Sequence, residues 1–374
     1  MEKITMLQGS GGAATAALID EIFDSAFSNP VLDAMEDAAV VPTPAGQIAL
    51  TTDSFVVTPA VFRGGDIGRL SICGTVNDLL MRGAIPKYIT CGFILEEGVE
   101  VSLLKKVVAS MAETAKEAGV TIVAGDTKVV NGHGEIYINT AGVGFVPVQG
   151  TGARGTGSHG ERSEQGACLP SEKIISARNA APGDAILVSG TMGDHHAAIL
   201  SERMAIETDI ESDNAPLVDI VKNLLEAGLH IHVLRDITRG GLGTVLNELA
   251  EASGVSFEIE ESTIPVSPKV RDFCGLLGLD PLYMGNEGKL VCILPEGEVD
   301  AALNIMHSSR YGEKAAKIGN VMRSGQGDST ARPSRERSGH VAQSPFVPRV
   351  VATTPIGGRR IVGVLEGEGL PRIC

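Results

Sequence analysis

The stretch GGDIGRLSICGTVNDLLMRG, residues 64–83, decides the fold prediction. Its first glycines predict a turn, and the residues after them form an apolar run with the period of a helix. Two polar residues, Asn77 and Asp78, interrupt this run. A carboxylate in such surroundings is costly unless it binds a partner. The stretch therefore predicts an apolar helix that also carries functional groups.

The segments around this helix predict a layered α/β domain. Runs rich in β-branched residues predict strands at 48–57, 88–95, 120–124 and 136–146, and the helical period predicts a further helix at 102–118. The order strand, helix, strand, helix, strand, strand is typical of α/β layers, in which helices cover a sheet.

The second half of the chain is also predicted to have an α/β fold. Strands are predicted at 185–190, 231–234, 255–259 and 290–294, with helices between them. Two stretches rich in Gly, Ser and charge, 149–173 and 324–345, have too few apolar residues to pack and are predicted to be inserts. We therefore expect an N-terminal domain at 1–148, a flexible insert at 149–173, a C-terminal domain at 174–323, and an insert and mobile tail at 324–374.

The composition excludes several classes of protein. With 374 residues the chain is long enough for two cores. A net charge of -15 and the absence of Trp argue against a nucleic-acid partner, which would need basic and stacking side chains. Six cysteines without CxxC spacing are typical of a reducing compartment, and no apolar leader or membrane span is recognisable. We expect a cytoplasmic protein with no membrane contact.

Four carboxylates predict a magnesium site. Asp53, Asp78, Asp126 and Asp236 each lie in a strand, at its end or in an apolar helix, close to glycine turns. One such residue is more often a cap or a partner of Arg, but four are better explained by Mg²⁺ bound together with phosphate. The chain contains no Walker A motif, so a nucleotide site of the P-loop type is excluded.

The two ends of the chain carry weaker signals. The turn GSGG at 9–12 precedes a helical pattern, and a helix N-terminus of this kind either binds phosphate or is a plain turn. The last residues, PRIC at 371–374, place a cysteine at the C-terminus itself. Termini are often mobile, so Cys374 is either a tethered reactive thiol or an incidental residue.

Together these motifs closely resemble one family. TTDSFVV, GGDIG, GTVNDL, FILEEG, AGDTKVV, SGTMGDHHAAIL, RDITRGG, NEGKL and the terminal PRIC occur in the order found in the hydrogenase maturation protein HypE, a carbamoyl dehydratase of the PurM-like ATP-binding superfamily. The resemblance covers nearly the whole chain, and the terminal PRIC is its most specific part. It implies a two-domain PurM-like (AIR synthetase-like) fold with a mobile tail, and a homodimer whose N-terminal strands close against those of the partner.

The resemblance also implies a reaction. The carbamoyltransferase HypF would load a carbamoyl group on Cys374, ATP would phosphorylate the carbonyl oxygen, and a base would remove the nitrogen protons to leave a thiocyanate. The thiocyanate would supply the cyanide ligand of [NiFe]-hydrogenase through the HypC–HypD complex. The cofactors implied are ATP and Mg²⁺.

The resemblance assigns residues to these roles. Cys374, Glu287 and Lys128 are catalytic, the last two as candidate bases. Nucleotide binding falls to Gly11, Gly12, Asp66, Thr75 and Asn77, and metal binding to the four aspartates named above. For Glu287 a helix cap is the structural alternative, and for Lys128 a phosphate counter-charge.

Some positions depart from the family, and some alternatives stay open. Gln8 stands where the family usually has His, and GDHH replaces the commoner GDHG. His195 either contacts phosphate or caps the helix that follows, and the structural interpretation is favoured. Cys73, Cys91, Cys274 and Cys292 lie in apolar runs and are read as core thiols. A selenophosphate synthetase would carry a reactive residue in the N-terminal glycine loop, and AIR synthetase or thiamine phosphate kinase would need no terminal cysteine. A carrier that only presents Cys374 to partners is the non-enzymatic alternative.

Overall fold

The computed structural model describes residues 3–9, 13–34, 39, 41–44, 46–147, 175–322 and 347–364. Gly11, Gly12 and Cys374 lie outside the described residues, as do the predicted inserts.

The N-terminal half is built on one four-stranded sheet. Short helical segments come first: α1 Met6–Gly9, α2 Ala13–Leu18, a π-helix Ile19–Asp24, and α3 Ser25–Phe27. There follow β1 Gln47–Phe55, β2 Val61–Phe62, β3 Gly65–Asp66, α4 Ile67–Leu80, β4 Ile85–Glu96, α5 Val101–Ala118, β5 Thr121–Val130 and β6 Ile136–Val146. The strand order is β1-β6-β4-β5, with β2 and β3 pairing separately. The predicted order of strands and helices is therefore confirmed.

Helix α4 is the buried centre of this half. Asp66 caps its start by accepting a hydrogen bond from the Arg69 backbone at 2.9 Å. The helix packs directly on β1 and β6, because glycine at 142 leaves room: a Cβ there would lie 2.6 Å from Thr75 Cγ2. Gly68 allows α5 to approach in the same way, since a Cβ would lie 2.2 Å from Val107 O. Because α4 packs closely on the sheet on one side and on α5 on the other, its sequence is almost entirely apolar.

The other face of this sheet has no layer on it within the described chain. Strand alternation places Leu50 and Ile48 of β1 and Ile94 of β4 on this face, and their exposures are 68%, 53% and 44%. We call it the open face. Exposed large apolar side chains on one contiguous sheet surface are typical of an interaction site.

The C-terminal half is built on a seven-stranded sheet. Its elements are β7 Asp184–Val188, α6 Asp194–Arg203, α7 Val218–Glu226, β8 Val233–Asp236, α8 Gly241–Ser253, β9 Ser256–Glu260, α9 Pro268–Leu277, β10 Leu290–Pro295, α10 Val299–Ser308, β11 Ala316–Met322, β12 Val350–Thr353 and β13 Arg359–Val362. The strand order is β13-β12-β9-β11-β7-β10-β8.

Two strands of this sheet correct the sequence analysis. The chain after residue 323 is predicted to be insert and tail, but β12 pairs in parallel with β9, and β13 pairs antiparallel with β12. Val350 and Val362 are completely buried. The prediction is wrong for these strands because their β-branched residues pack into the sheet. Strand β11 is also absent from the prediction.

The two halves meet at the end of α4. Asn77 Nδ2 donates to Ala215 O at 3.0 Å, and the Leu217 backbone donates to Asn77 Oδ1 at 2.9 Å. The largest hydrophobic core is continuous across this junction and includes Leu80, Leu217 and Leu290. None of the described helices is long and apolar enough to cross a membrane.

Candidate active site

A cavity of about 430 Å³ lies where β1 and α4 of the first half face β8 of the second. Its lining is charged and includes Asp53, Asp78, Asp236, Glu287, Arg82, Arg235 and Arg239. Four carboxylates against three guanidiniums make this an acidic pocket. We call it the acidic pocket from here on.

Three of the four predicted metal ligands meet in the acidic pocket. Burial raises the pKa of Asp53 above its usual value, and the charge of Asp78 raises it further. Burial also raises the pKa of Asp78, although a 2.8 Å hydrogen bond from Thr51 Oγ1 opposes the shift. For Asp236, burial and the charges of Asp78 and Asp53 raise the pKa to about 6. Burial is the largest cause of all three shifts, and neighbouring negative charge adds to it at Asp53 and Asp236.

The donor set fits Mg²⁺ bound together with phosphate. Within the described part of the chain, no three His, Cys, Asp or Glu side chains converge as a ready-made metal cage. Mg²⁺ usually takes only one or two carboxylates and completes its octahedron with water and substrate phosphates. Carboxylates that line one pocket without closing around a point suit that mode of binding.

Glu287 is the most unusual side chain in the acidic pocket. It is only 4% exposed, and its Oε1 is buried without a hydrogen-bond partner. Burial raises its pKa well above the usual value, the charges of Asp213, Asp236 and Asp53 add to the shift, and Arg239 opposes it. A buried, unpaired carboxyl is costly, so its retention in a cleft indicates function.

The backbone of Glu287 is held rigidly. Its N–H donates to Asp213 Oδ1 at 3.0 Å, and Lys289 Nζ lies 3.1 Å from Asp213 Oδ2. At Gly288 a Cβ would lie 1.9 Å from Asp213 O, so only glycine fits between these residues. The helix-cap alternative for Glu287 does not apply, because residue 287 precedes β10.

Asp126 and Lys128 are not part of the acidic pocket of the same chain. They lie on β5, an edge strand, and Lys128 Nζ donates to both carboxylate oxygens of Asp126 at 2.6 and 2.7 Å. Strand register places Asp126 opposite Gly92 and Lys128 opposite Ile94, on the open face. The structure therefore separates this pair from Asp53, Asp78 and Asp236.

The three described residues predicted to bind nucleotide point their polar atoms into the protein. Asp66 caps α4, Thr75 Oγ1 forms a hydrogen bond with Thr140 Oγ1, and Asn77 joins the two halves. None of the three lines the acidic pocket. Their nucleotide-binding role, like that of Gly11 and Gly12, stays a prediction.

Gln8 and His195, two other positions discussed in the sequence analysis, are buried and make contacts inside the fold. Gln8 is buried, and its Oε1 accepts from the Thr5 backbone at 2.9 Å. His195 is fully buried, with Nδ1 2.7 Å from Ser212 Oγ and its ring edge-on to Phe62. The structural interpretation of His195 is consistent with these contacts.

The four described cysteines are buried. Burial raises the pKa of the Cys91 thiol to about 12 and that of Cys274 to about 11, and it raises those of Cys73 and Cys292 further still. Thiols of this kind are not ionised at neutral pH and are poor nucleophiles. The reading of these residues as inert core thiols is confirmed.

Sequence profiles and relatives place this chain. Residues 35–146 match the N-terminal domain of AIR synthase related proteins, and residues 181–331 match the C-terminal domain. Carbamoyl dehydratase HypE of Cupriavidus necator is 45% identical over 381 residues, covering all of this chain and 95% of that protein. The Escherichia coli protein of the same name is 39% identical, with complete coverage of both.

The chain belongs to the HypE family of carbamoyl dehydratases.

Solved structures agree with this assignment. The structure of HypE in complex with ATP superposes with a TM-score of 0.84 at 42% identity and covers 99% of each chain. A chain from a HypE–HypF complex gives a TM-score of 0.71 at 43% identity, over 93% of this chain and all of that one. Thiamine monophosphate kinase from Aquifex aeolicus, 22% identical with a TM-score of 0.55, shares the fold alone. The predicted PurM-like fold is confirmed.

The sequence analysis missed the three arginines of the acidic pocket, Arg82, Arg235 and Arg239, and also Asp213. Arg239 reaches the acidic pocket from the turn after β8, and Asp213 holds Glu287 from a loop. Arg239 is the last charged residue of RDITRGG, directly before two glycines. Because Arg239 closely follows a strand that ends in the predicted metal ligand Asp236, its place in the pocket could have been predicted from the sequence. The sequence gives no indication of the role of Asp213, because this residue lies in a loop without helical or strand periodicity.

Proposed function

We propose that this chain dehydrates an S-carbamoyl group on Cys374 to S-cyanate at the expense of ATP, and so supplies the cyanide ligand for the iron of [NiFe]-hydrogenase. Relatives of the same length are named carbamoyl dehydratases, and one HypE structure holds ATP. The observation that carries the proposal is Glu287: a buried carboxyl with a free oxygen, beside three aspartates suited to Mg²⁺ and phosphate.

The chemistry requires two proton losses from one nitrogen. The group R–S–C(=O)–NH₂ loses a first proton as its oxygen takes the γ-phosphoryl group of ATP, which leaves ADP. It loses a second proton as the C–O bond breaks and phosphate departs, leaving R–S–C≡N. Phosphorylation converts a poor leaving group into a good one, and a positioned base contributes on the order of a hundred- to ten-thousand-fold in rate.

Glu287 is the better candidate for that base within one chain. Its carboxyl must be ionised to accept a proton, whereas burial and neighbouring acids raise its pKa and favour the neutral form. Positive charge close by would reverse this preference, as Arg239 already does in part. Mg²⁺ held by Asp53, Asp78 and Asp236 would supply such charge and neutralise the phosphates.

Lys128 and Asp126 belong to the proposal through a homodimer. They lie on the open face, which exposes Leu50, Ile48 and Ile94. Burial of apolar side chains between two copies of this face would be favourable at roughly 25 cal/mol per Å². Leu50 also lines the acidic pocket, so the pocket opens beside the open face. A partner docked there would bring its own Asp126 and Lys128 near the pocket.

The partners follow from the chemistry and from one comparison. A carbamoyltransferase of the HypF type would load Cys374, and a structure of HypE with HypF shows that such a pair assembles in a relative. The product would pass to an iron-carrying complex of the HypC–HypD type. We place this reaction in the cytoplasm.

Glu287→Gln tests the proposal. The variant keeps shape and hydrogen bonding but removes the base, so carbamoylated Cys374 should accumulate while ATP still binds. In single-turnover measurements on preloaded protein, thiocyanate should form at least about a hundredfold more slowly. Glu258→Gln serves as the matched control with unchanged rate, because Glu258 lies on the other sheet and forms an exposed ion pair with Arg359.

Other outcomes of this measurement would assign the base, or the dehydration itself, differently. A Glu287→Gln rate within about threefold of the parent would exclude Glu287 as the base. If Lys128→Met then causes the accumulation, the lysine is the base. If neither substitution slows the reaction, the chain carries the group and the dehydration is done elsewhere.

A further inference from the structure

A second cavity, of about 450 Å³, lies on the other side of the segments that hold Glu287. It shares no lining residue with the acidic pocket. Both halves of the chain form it: Gly64 and Arg69 come from the first, and the loops at 190–191, 212–214, 289 and 310–314 come from the second. We call it the basic cavity.

The basic cavity gathers positive charge in a strongly acidic protein. Four cations line it, Arg69, Lys289, Arg310 and Lys314, against Asp213 and Glu313. The chain as a whole carries a net charge of -15. Clusters of one sign that run against the overall charge act as local attractors for ligands of the opposite sign.

Lys289 pairs with Asp213, but ion pairs do not fully neutralise the other three cations. Arg69 and Arg310 share a single carboxylate, Glu117, at 2.8 and 3.0 Å. Tyr311 also donates to that carboxylate, so its acceptor capacity is divided among three donors. Lys314 forms no ion pair within the described residues. One guanidinium charge and one ammonium charge are therefore left for a ligand, opposed by Glu313.

The inner wall is shaped by glycine. At Gly190 a Cβ would lie 2.8 Å from Lys289 Cε, so the lysine stem lies against bare backbone. Lys289 is thereby held with only 10% of its side chain exposed, at the edge of the cavity. At Gly64, whose φ is +87°, a Cβ would lie 2.6 Å from Ser212 N. The approach of Gly64 to Ser212 brings the walls of the two halves together.

Asn214 supplies an independent observation. It lines the cavity, is 4% exposed, and has both side-chain amide atoms buried without a hydrogen-bond partner. Its backbone is fixed, because its N–H donates to Ser212 Oγ at 3.1 Å and its carbonyl accepts from Arg69 Nε at 2.9 Å. Buried polar groups without partners are rare in native proteins and call for an explanation.

We propose that the basic cavity is a binding site for a small oxyanion of the phosphate class. The anion would lie among Arg69, Lys289, Arg310 and Lys314, and the amide of Asn214 would turn to donate to it. Charge-assisted hydrogen bonds from guanidinium and ammonium groups are the usual means of holding phosphate. The acidic pocket is the poorer site for a free anion without a metal, because four carboxylates face its three guanidiniums.

Inorganic phosphate is the probe, and metal-free conditions separate the two pockets. The full-length chain is unfolded thermally in EDTA with increasing phosphate, against sodium chloride of equal ionic strength. At a phosphate concentration of 100 times Kd, the ratio of folded to unfolded protein should rise about 100-fold. No stabilisation beyond that given by chloride would overturn the proposal.

The variant Arg310→Gln with Lys314→Gln removes two exposed cations of the cavity. Each lost charge should weaken phosphate binding about tenfold or more, measured by calorimetry. The matched control is Lys3→Gln with Arg359→Gln, which removes the same charge from exposed ion pairs that do not line the cavity. Equal weakening in both variants would mean unspecific attraction and would refute the site.

The variant Asn214→Ala tests whether the Asn214 amide binds phosphate, because it should affect the free and the phosphate-bound protein differently. Because its amide has no partner in the free protein, the substitution should leave the unliganded protein equally or more stable. It should also reduce the stabilisation by phosphate. Full phosphate stabilisation in this variant would contradict the site as proposed, since the amide is part of it.

Discussion

Asp236→Asn should make the metal-free protein more stable at neutral pH. Burial and the charges of Asp78 and Asp53 raise the pKa of Asp236 from 3.8 to about 6 in the folded protein. The folded state therefore holds this proton more tightly than the unfolded state does. A raised pKa of an acid contributes stability at low pH, which is lost as the pH rises through the folded value.

The magnitude follows from that shift. At pH 7 the carboxyl is ionised in both states, and a shift of about two units at about 1.4 kcal/mol each costs roughly 3 kcal/mol. At pH 4.5 the same arithmetic gives about 1 kcal/mol. The side chain is only 14% exposed, so little of this is lost to solvent screening. Asparagine keeps the shape and cannot ionise, so the variant should recover most of the cost.

Urea unfolding at pH 4.5 and pH 7 in EDTA measures the difference. The advantage of Asp236→Asn should reach up to about 3 kcal/mol at pH 7 and shrink by about two thirds at pH 4.5. Asp209→Asn is the matched control: Asp209 is exposed and a hydrogen bond from Lys269 lowers its pKa, so its loss should not stabilise the protein. Equal stability of parent and Asp236→Asn at pH 7, or an advantage independent of pH, would refute the reasoning.

Further expectations concern the terminal thiol, the metal and the dimer. Cys374→Ala should abolish carbamoylation and thiocyanate formation while ATP still binds, as measured by intact mass and calorimetry; carbamoylation at another cysteine would contradict this. Asp78→Asn should weaken Mg·ATP binding about tenfold or more in calorimetric titration, because it removes a charged ligand from a hard cation. Leu50→Lys should convert a dimer to a monomer in light scattering, whereas Leu276→Lys, equally exposed on α9, should not.

Much of the acidic pocket is predictable from carboxylates at strand ends. Asp53 lies two residues before Phe55, whose side chain is buried under α4, so both share the covered face of the sheet. Asp126 gave the same signal but lies on the open face, three residues before buried Val129. A strand-end carboxylate thus indicates an edge of the sheet, and only the period of two along the strand indicates the face.

Other parts of the structure depend on contacts that a local pattern does not contain. Asp213 reaches Glu287 across 74 residues of sequence, and Asn77 reaches Ala215 across 138. The second contact joins the two halves, and both depend on how segments distant in the sequence pack together. Strands β12 and β13 do have a local signal, yet the low-complexity stretch before them hides it.

The state of Glu287 suggests how the proposed reaction would be kept from starting too early. Burial and three nearby acids raise the pKa of its carboxyl and so favour the neutral form, which cannot accept a proton. Lys128, the other candidate, donates to Asp126 on the open face. Positive charge added to the acidic pocket would favour the ionised form of Glu287, which is the base. Binding of a cation with the nucleotide would lower the pKa of Glu287 and create the base only when the phosphoryl donor is in place. The stability cost predicted for Asp236 would then have the same origin. The negative charges that destabilise the metal-free protein are the charges that a bound cation would compensate.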